Sequence, residues 1–335
     1  MHSVAELERR LSEPSAALVA DLAALDGDLL ILGAGGKLGP SLTRLALRAV
    51  AGKKTVTAVS RFGDRAAADA LAAEGAKIVS ADITDDEALA GLPEARNVIF
   101  LVGSKFGSTG READTWYTNA YLPGRVADQY RSSRIVALST CNIYPFTPAG
   151  SGGPTEEAAP GPVGEYAMSC LGRERVFTRF AQKHDTPLAL IRLNYAVEMR
   201  YGVLVDIAGS VLPDKPVDVT MSAVNVVWQG YANEVILRAL GHASPAPFVL
   251  NVAGPETLSV RQLGQAFGRV LDKEPQFTGT EAAAALLSNS AKCMRLFGYP
   301  AVTPTELLEW TAGWLTAGLP LLGKPTGFQK RDGKF

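Results

Sequence analysis

Short apolar runs alternate with longer amphipathic segments along most of the chain. Each run has the length of a strand and is rich in Val, Ile and Leu, as is typical of strands buried on both faces of a parallel sheet. The segments between them have the length and periodicity of helices. Strands are predicted over 29–32, 55–59, 77–81, 97–102, 134–138, 188–193 and 248–252. This alternation predicts an α/β fold, a doubly wound parallel sheet assembled from βαβ units.

The pattern divides the chain into three regions. We expect an N-terminal helical extension over 1–27, a strand–helix domain over 28–195 and a mixed C-terminal lobe over 196–335, from which about 220–255 returns to the first domain. Helices are predicted over 41–50, 65–74, 113–131, 165–183, 259–271, 304–315 and the alanine-rich run 282–287. The charged residues 324–335 are expected to form a surface tail.

Composition excludes several function classes without selecting one. Of the 335 residues, 47% are hydrophobic and 20% are charged, as in an ordinary packed globular protein. With 33 Lys and Arg against 34 Asp and Glu, the chain has no positive charge excess to attract nucleic acid or an anionic membrane surface. No run reaches the about 18–20 apolar residues that a membrane-spanning helix needs.

Cysteine and histidine usage bears on compartment and metals. Cys141, Cys170 and Cys293 form no CxxC pair, and the three histidines have no metal-ligand spacing. The first 25 residues mix charges into an amphipathic pattern and lack the apolar core of an export signal. We therefore expect a cytoplasmic protein in a reducing compartment, without a metal site.

A glycine cluster between the first predicted strand and the following helix carries the strongest chemical signal. Gly33, Gly36 and Gly39 fit the pattern GxxGxxG. Small residues let the backbone approach a pyrophosphate, and the helix N-terminus supplies unpaired N–H groups. We predict a dinucleotide site here, with Lys37 and Leu38 of the same turn as binding residues. The alternative is a tight turn without a ligand.

The end of the second predicted strand favours NADP over NAD. An NAD site usually has Asp or Glu about 20 residues after the glycines, where it accepts a hydrogen bond from the ribose 2′-OH. Here the strand ends at Ser60 and Arg61, and no acid follows before Asp64. The planar guanidinium of Arg61 suits a 2′-phosphate. The alternative is a solvated surface arginine.

From these motifs onward, the chain resembles the extended short-chain dehydrogenase/reductase family, the epimerases and dehydratases of sugars. The resemblance spans roughly residues 28–270 and implies a Rossmann fold with a smaller substrate lobe. Beyond the glycines, it is carried by Asp82-Ile83, Asn119, the run 139–144 that ends in Tyr144, Thr155-Glu156-Glu157, the helix from Tyr166 to Glu174, and Arg192-Leu193-Asn194.

The resemblance also implies residue roles. Thr140 would hydrogen-bond the substrate oxygen, and Tyr166 would act as general acid and base while also contacting the cofactor. Asp82 and Ile83 would hold the adenine. The remaining expected site residues are Val102 and Gly103 for the cofactor, and Lys105, Asn194 and Arg200 for the substrate.

One position departs from the family pattern. Family members carry a lysine four residues after the tyrosine, one helical turn on, and its charge lowers the tyrosine pKa. Here that position is Cys170, which we interpret as a small packed residue rather than a nucleophile. Three hypotheses follow. Another cation, Lys105, Arg173 or Arg200, reaches Tyr166; or the tyrosine works unaided or with another base; or the site binds a dinucleotide without turnover.

The function expected from these motifs and the resemblance is that of an NAD(P)-dependent oxidoreductase or epimerase acting on a sugar-like hydroxyl or ketone. One alternative is a dinucleotide-binding regulatory or sensor protein. Another is a dehydratase or lyase acting on a sugar, with Glu156, Glu157 or Glu165 as the extra acid or base. The resemblance further implies a homodimer that packs through helices 113–131 and 165–183.

Overall fold

A seven-stranded parallel sheet forms the centre of the protein, in the order β12-β7-β5-β4-β1-β2-β3. The computed structural model describes residues 1–105, 107, 109–324 and 326–334. The strands of the chain are β1 Leu29–Leu32, β2 Val56–Ser60, β3 Lys77–Ser80, β4 Asn97–Phe100, β5 Arg134–Thr140, β6 Thr147–Pro148, β7 Leu188–Leu193, β8 Ala196–Val197, β9 Val217–Asp218, β10 Ala223–Val224, β11 Val227–Trp228, β12 Phe248–Val252, β13 Leu258–Ser259, β14 Phe277–Thr278 and β15 Ala284–Ala285. The predicted α/β doubly wound sheet is confirmed.

Helices cover both faces of this sheet and build the C-terminal lobe. They are α1 Val4–Leu11, α2 Ala16–Ala24, α3 Gly39–Val50, α4 Arg65–Ala73, α5 Asp86–Ala90, α6 Glu112–Trp116, α7 Leu122–Gln129, α8 Gly164–His184, α9 Val203–Val211, α10 Gln229–Arg238, α11 Val260–Leu271, α12 Ala291–Phe297 and α13 Pro304–Thr316. A π-helical turn, Tyr117–Tyr121, joins α6 to α7, and short 3-10 turns lie at Cys141–Ile143, Ala149–Ser151 and Ala239–His242. None of the described helices is both long and apolar enough to cross a bilayer.

The apolar runs become buried strands because each faces helices on both sides. All four residues of β1 are buried, and alternate side chains enter different clusters. Leu29 and Ile31 pack with α2, α3 and α10, whereas Leu30 and Leu32 pack with α7 and α8. Burial on both faces explains why the strand sequence is continuously apolar rather than alternating.

The N-terminal helices connect the sheet domain to the lobe. Leu18 and Leu22 of α2 pack into the core of the sheet domain, whereas Leu7 and Leu11 of α1 pack into the separate core of the lobe. Glu8 of α1 accepts hydrogen bonds from Arg44 of α3 and from Arg200 of the lobe. The extension therefore ties α3, the helix after the glycine turn, to the C-terminal lobe.

Two predictions about the C-terminal half are wrong. The alanine-rich run 282–287 is not helical: β15 pairs antiparallel with β6, and Leu286 and Leu287 enter the lobe core. Tertiary packing overrides the helix propensity of alanine there. The surface tail predicted over 324–335 is wrong for 326–334, since Thr326 and Phe328 are 6% and 8% exposed; Pro325 and Phe335 lie outside the described residues. In the sheet domain, the helix predicted over 113–131 is interrupted by the π-helical turn Tyr117–Tyr121.

Candidate active site

An open groove of about 620 Å³ lies over the carboxyl ends of β1, β2 and β4. In this sheet β1 has β2 on one side and β4 on the other, so the groove lies where the strand order reverses, the usual ligand position in doubly wound sheets. A larger hollow of about 1060 Å³ at the amino edge of the sheet contains none of the predicted site residues. The groove is lined by eight predicted cofactor residues: Gly33, Gly36, Ser60, Arg61, Asp82, Ile83, Val102 and Gly103.

The glycine turn leaves room that side chains would fill. Gly33 has a φ of 91°, a left-handed conformation that favours glycine, and an added Cβ would lie 3.1 Å from Val102. At Gly39 an added Cβ would overlap the carbonyl oxygen of Ala34. The first glycine therefore turns the chain at the end of β1, and the last lets α3 pack directly against the turn.

The start of α3 fits an anionic ligand. Leu38 occupies the N-cap position, and no side chain caps the helix there. The first N–H groups of α3 consequently have no side-chain acceptor, and the helix dipole places positive potential at the same point. Together with the adjoining groove, this arrangement fits the pyrophosphate of a dinucleotide.

At the far end of the groove, an arginine follows β2, and no acidic residue stands at that strand end. The Arg61 guanidinium is 79% exposed, and Nη1 lies 3.9 Å from Oδ2 of Asp82. Asp64, the first acid after β2, instead caps α4 by accepting a hydrogen bond from the N–H of Ala66. Hydrogen bonds from Thr84 hold the pKa of Asp82 below its usual value, so this carboxylate is charged at neutral pH.

Lys37 points away from the groove that its backbone borders. Its Nζ donates to the carbonyl of Ala196 at 2.7 Å and lies 4.1 Å from the ring centre of Tyr201. Burial lowers the pKa of Lys37 to about 7, with Glu198 opposing this shift and Lys105 and Arg200 adding to it. The Lys37 side chain thus joins the glycine turn to the beginning of the lobe.

Thr140, Tyr166 and Cys170 meet at one point beside the sheet. Thr140 ends β5, Tyr166 lies in the first turn of α8, and the Thr140 hydroxyl and the Cys170 thiol are close enough to the phenol to act on its pKa. Burial raises the pKa of Tyr166, and Arg173 and Thr140 act against that shift. Burial also raises the pKa of the Cys170 thiol, which is therefore neutral at physiological pH.

Lys105 brings a positive charge to the same point from another element. It follows β4, and its Nζ lies 5.9 Å from the ring centre of Tyr166. Burial lowers the pKa of Lys105 to about 8, against the effects of Cys170 and Asp206. Of the three cations suggested by the sequence, the structure thus brings Lys105 to the tyrosine ring, and the charge of Arg173 also acts on this phenol.

Asn119, in the π-helical turn, fixes the loop that carries Lys105. Its Oδ1 accepts from the N–H of Ser104 at 2.8 Å and from Arg173 Nη2 at 2.8 Å, while its Nδ2 donates to Ser104 and Ser169. Arg173 also donates to the backbone carbonyl of Leu138 at 2.7 Å. The buried Asn119 amide therefore joins the loop after β4 to α8, and Arg173 joins both to β5. π-Helical turns often occur at functional sites.

The other two predicted substrate residues are held by protein partners. Asn194 is 3% exposed and donates to Oδ1 of Asn225 at 2.8 Å. Arg200 forms ion pairs with Glu8 at 2.5 Å and with Glu198 at 3.1 Å. Their role as substrate contacts stays a prediction.

Two residues close to Lys105, Asp206 of α9 and Thr326, were not predicted from the sequence. Thr326 donates to Asp206 through its N–H and its hydroxyl, although 120 residues separate the two in sequence. No local motif could have indicated this contact, because it depends on how the lobe folds back over the sheet.

Comparison with known proteins gives a family and a shared fold. The model of the NAD dependent epimerase/dehydratase family matches residues 29–197. UDP-glucuronic acid 4-epimerase from Bacillus cereus, solved with NAD, has a TM-score of 0.73 at 16% identity, over 86% of this chain and 98% of that one. UDP-glucose 4-epimerase from Thermotoga maritima, solved with UDP-glucose, has a TM-score of 0.72 at 17% identity, over 87% of this chain and 99% of that one. No curated protein matches. At these identities the solved structures establish the fold alone.

The Lys37 environment predicts a pH-dependent stability. The unfolded chain has a lysine pKa of about 10.4, so between pH 7 and 10 it binds more protons than the folded protein, and the free energy of unfolding rises with pH. Without nucleotide, Lys37→Met should therefore be more stable than the wild type at pH 6–7, and this advantage should shrink towards pH 10. Urea unfolding across this range measures it, with the exposed Lys53→Met as control. A difference that does not change with pH would contradict the burial of Lys37.

Proposed function

Because the chain belongs to the NAD dependent epimerase/dehydratase family, we propose that it is a nicotinamide-dependent oxidoreductase or epimerase acting on a hydroxyl or ketone of a nucleotide sugar. The observation that carries this proposal is the position of the Tyr166 phenol by Thr140, at the carboxyl edge of the sheet that also holds the groove, with the Lys105 ammonium 5.9 Å from the ring centre. Solved proteins of the same fold bind UDP-glucuronic acid or UDP-glucose, which supports the nucleotide-sugar class.

The groove residues would hold the cofactor. The N–H groups at the start of α3 and the turn at Gly33 and Gly36 would bind the pyrophosphate, and Asp82 would hold the adenosine end. When bound, a nicotinamide ring accepts a hydride from a carbon and can return it. The protein's own contribution is to orient the sugar and to move the proton on the oxygen of the reacting carbon.

Tyr166 is the group placed to move that proton. Oxidation of a hydroxyl requires a base, and an ordinary tyrosine, with a pKa of about 10, is a poor base at pH 7. Burial makes it worse by raising its pKa. A nearby cation stabilises the tyrosinate and opposes this effect. The charge of Arg173 acts on the phenol in this direction, and the Lys105 ammonium lies 5.9 Å from the ring centre. Thr140, whose hydroxyl acts on the pKa of the phenol, would share the substrate oxygen and orient it.

Lys105 would therefore replace the charge that Cys170 lacks. Its ammonium comes from the loop after β4 instead of from the next turn of α8, so the same electrostatic effect arises from a different part of the chain. The neutral Cys170 thiol occupies the position beneath the phenol as a small buried group. This arrangement favours turnover over a sensor that only binds the dinucleotide.

The carboxylates suggested for a dehydration either have protein partners or are exposed. Glu156 accepts a hydrogen bond from the backbone N–H of Asn251, and Glu165 accepts one from the indole of Trp116 at 2.6 Å. Glu157 is exposed. These contacts give no support to an elimination reaction, and we retain hydride transfer as the proposed chemistry.

Replacing the two central residues separates their roles. Tyr166→Phe should lower kcat by about 10²–10⁴-fold, the usual contribution of a general acid–base, with the cofactor Kd nearly unchanged. Lys105→Met should move the pH–rate profile to higher pH, because the tyrosinate loses a stabilising charge. Product formation from a panel of UDP-sugars measures both, with the exposed Lys183→Met as control. A Tyr166→Phe variant with full turnover would rule out the proposed base.

We further propose NADP as the preferred cofactor, although the solved Bacillus cereus epimerase holds NAD. The end of β2 offers the exposed Arg61 guanidinium, and the first following acid, Asp64, is engaged as a helix cap. A carboxylate at this position would repel a 2′-phosphate, whereas a guanidinium can bind it through two parallel hydrogen bonds.

Arg61→Ala tests this preference. Loss of a charge-assisted hydrogen bond costs about 1.5–3 kcal/mol, so the NADP Kd should rise by about 10–100-fold while the NAD Kd stays the same. Fluorescence titration with both reduced cofactors measures the two values. Arg131→Ala, which lies outside the groove, serves as the control. If the Kd values of NAD and NADP rose equally, or neither rose, Arg61 would not be the residue that binds the 2′-phosphate.

A homodimer is the proposed assembly. Four apolar or aromatic side chains are exposed on the adjoining faces of α6, the π-helical turn and α8: Trp116, Tyr117, Tyr121 and Met168 are 39%, 39%, 58% and 37% exposed. Rings of this size gain most from burial at an interface, and clustered exposed apolar groups mark such surfaces.

The variant Tyr121→Glu with Met168→Glu should be monomeric where the wild type is dimeric, because each charge would have to be buried in the interface. Light scattering coupled to size-exclusion chromatography at micromolar concentration measures the mass. Tyr299→Glu changes a 73% exposed aromatic outside this patch and should leave the dimer intact. A monomeric wild type would refute the proposal.

A further inference from the structure

The C-terminal segment 326–334 runs across the lobe towards the catalytic tyrosine. It begins at Thr326, whose N–H and hydroxyl both donate to Oδ2 of Asp206, at 2.9 and 2.6 Å. Phe328 follows with 8% exposure and packs into the core of the lobe. The Phe328 N–H donates to the Thr326 hydroxyl at 3.1 Å, so this hydroxyl bonds both to Asp206 and to the backbone of Phe328.

The other end of the segment lies against the start of α8. Arg331 donates to the carbonyl of Ala284 at 2.7 Å and stacks 4.2 Å from the ring centre of Phe146. Gly333 then meets Gly164, where an added Cβ would lie 2.6 Å from the Gly333 carbonyl oxygen. Gly164 is two residues before Tyr166, and the segment therefore spans from α9 to the helix turn that carries the phenol.

Between these two ends the segment contacts Lys105. The Lys105 Nζ donates to the Thr326 carbonyl at 3.5 Å, and the Asp206 carboxylate raises the pKa of Lys105 against the effect of burial. Other charged or titratable groups that act on Lys105 include Cys170 of α8, Lys330 of the segment and Lys37 of the glycine turn. From the lobe, the Thr326 carbonyl thus contacts the ammonium and the Asp206 charge acts on it, while the ring of Tyr166 faces it from α8.

We propose that segment 326–334 is a structural part of the active site, in which Thr326 and Asp206 act as positioning residues that hold the Lys105 ammonium against Tyr166. The inference rests on the proposed function, since the roles of Lys105 and Tyr166 come from it. Lysine has a long side chain with several rotatable bonds, so an ammonium keeps a fixed position only when its surroundings restrain it. Ordering a terminal segment costs conformational entropy, and the buried Phe328 and the Asp206 hydrogen bonds offset that cost.

Two variants distinguish the anchoring of the segment by the Thr326 hydroxyl from the effect of the Asp206 charge on Lys105. Thr326→Val keeps the shape but removes the hydroxyl that bonds Asp206 and Phe328, and Thr326→Ser retains it as the matched control. Asp206→Asn keeps an oxygen that can accept both Thr326 hydrogen bonds but removes the negative charge. In each variant the cofactor Kd should stay within about twofold of the wild type, because the groove does not include these residues.

The first readout needs no turnover. Lysines are labelled by reductive ¹³C-methylation, and the Lys105 signal is assigned by its loss in Lys105→Met. The Lys105 pKa should rise from about 8 in Thr326→Val, because a released segment exposes the ammonium to water. It should fall in Asp206→Asn, because a neighbouring anion is lost. Thr326→Ser should match the wild type.

The second readout is the pH–rate profile. Thr326→Val should lower kcat about tenfold, the effect of one lost net hydrogen bond, and shift the profile to higher pH, whereas Thr326→Ser restores both. An unchanged Lys105 titration in Thr326→Val and Asp206→Asn would overturn the inference. So would a Thr326→Val enzyme whose kcat and profile match those of Thr326→Ser. If no nucleotide sugar turns over in any variant while the Lys105 titration moves as stated, the proposed function fails and the positioning geometry stands.

Discussion

The buried ion pair between Glu174 and Arg192 sets the geometry on which the site depends. The side chains are 4% and 10% exposed, and Arg192 Nη2 lies 2.8 Å from Glu174 Oε2. Ser139 donates to the same carboxylate at 2.6 Å, and Arg192 also donates to the Tyr144 hydroxyl. The pair therefore fixes α8 against β5 and β7. Breaking a buried pair of this kind costs about 3–5 kcal/mol, because one charge is left unpaired in the interior. Tyr166 lies about two turns before Glu174, and this attachment turns its phenol towards Thr140 at the end of β5.

A second restraint supports the proposed compensation for Cys170. Asn119 and Arg173 hold the loop after β4 against α8, and this loop carries Lys105 to the ring of Tyr166. The family position for the lysine is one turn along α8, but electrostatics depends on the distance of the charge from the phenol and not on the element that supplies it. In the proposed mechanism, a loop that is fixed by a buried amide therefore supplies the charge that Cys170 cannot. In the further inference, segment 326–334 restrains the same ammonium from the lobe side.

The sheet could be predicted from sequence because each strand is a short apolar run that needs helices on both faces, and β7 and β12 end where the pattern indicates. The groove beside the glycine turn could be predicted as well, since Gly33 and Gly36 shape it through local backbone geometry. The helix predicted over 282–287 is wrong because pairing with Thr147–Pro148 and packing into the lobe core, rather than the helix propensity of alanine, determine the structure of this run. The position of Thr326 beside Asp206 and Lys105 could not be predicted, because residues far apart in sequence meet there and no spacing rule connects them.

The most direct test of the proposed roles of Tyr166 and Lys105 follows the cofactor itself in a single turnover. Protein loaded with oxidised NADP or NAD is mixed rapidly with UDP-glucose, UDP-glucuronic acid and other nucleotide sugars, and reduced-nicotinamide fluorescence is recorded. We predict a signal with at least one of these sugars and none in Tyr166→Phe. Tight cofactor binding without any reduced cofactor, across the whole panel and in alkaline as well as neutral buffer, would contradict the central claim that Tyr166, assisted by Lys105, removes the substrate proton.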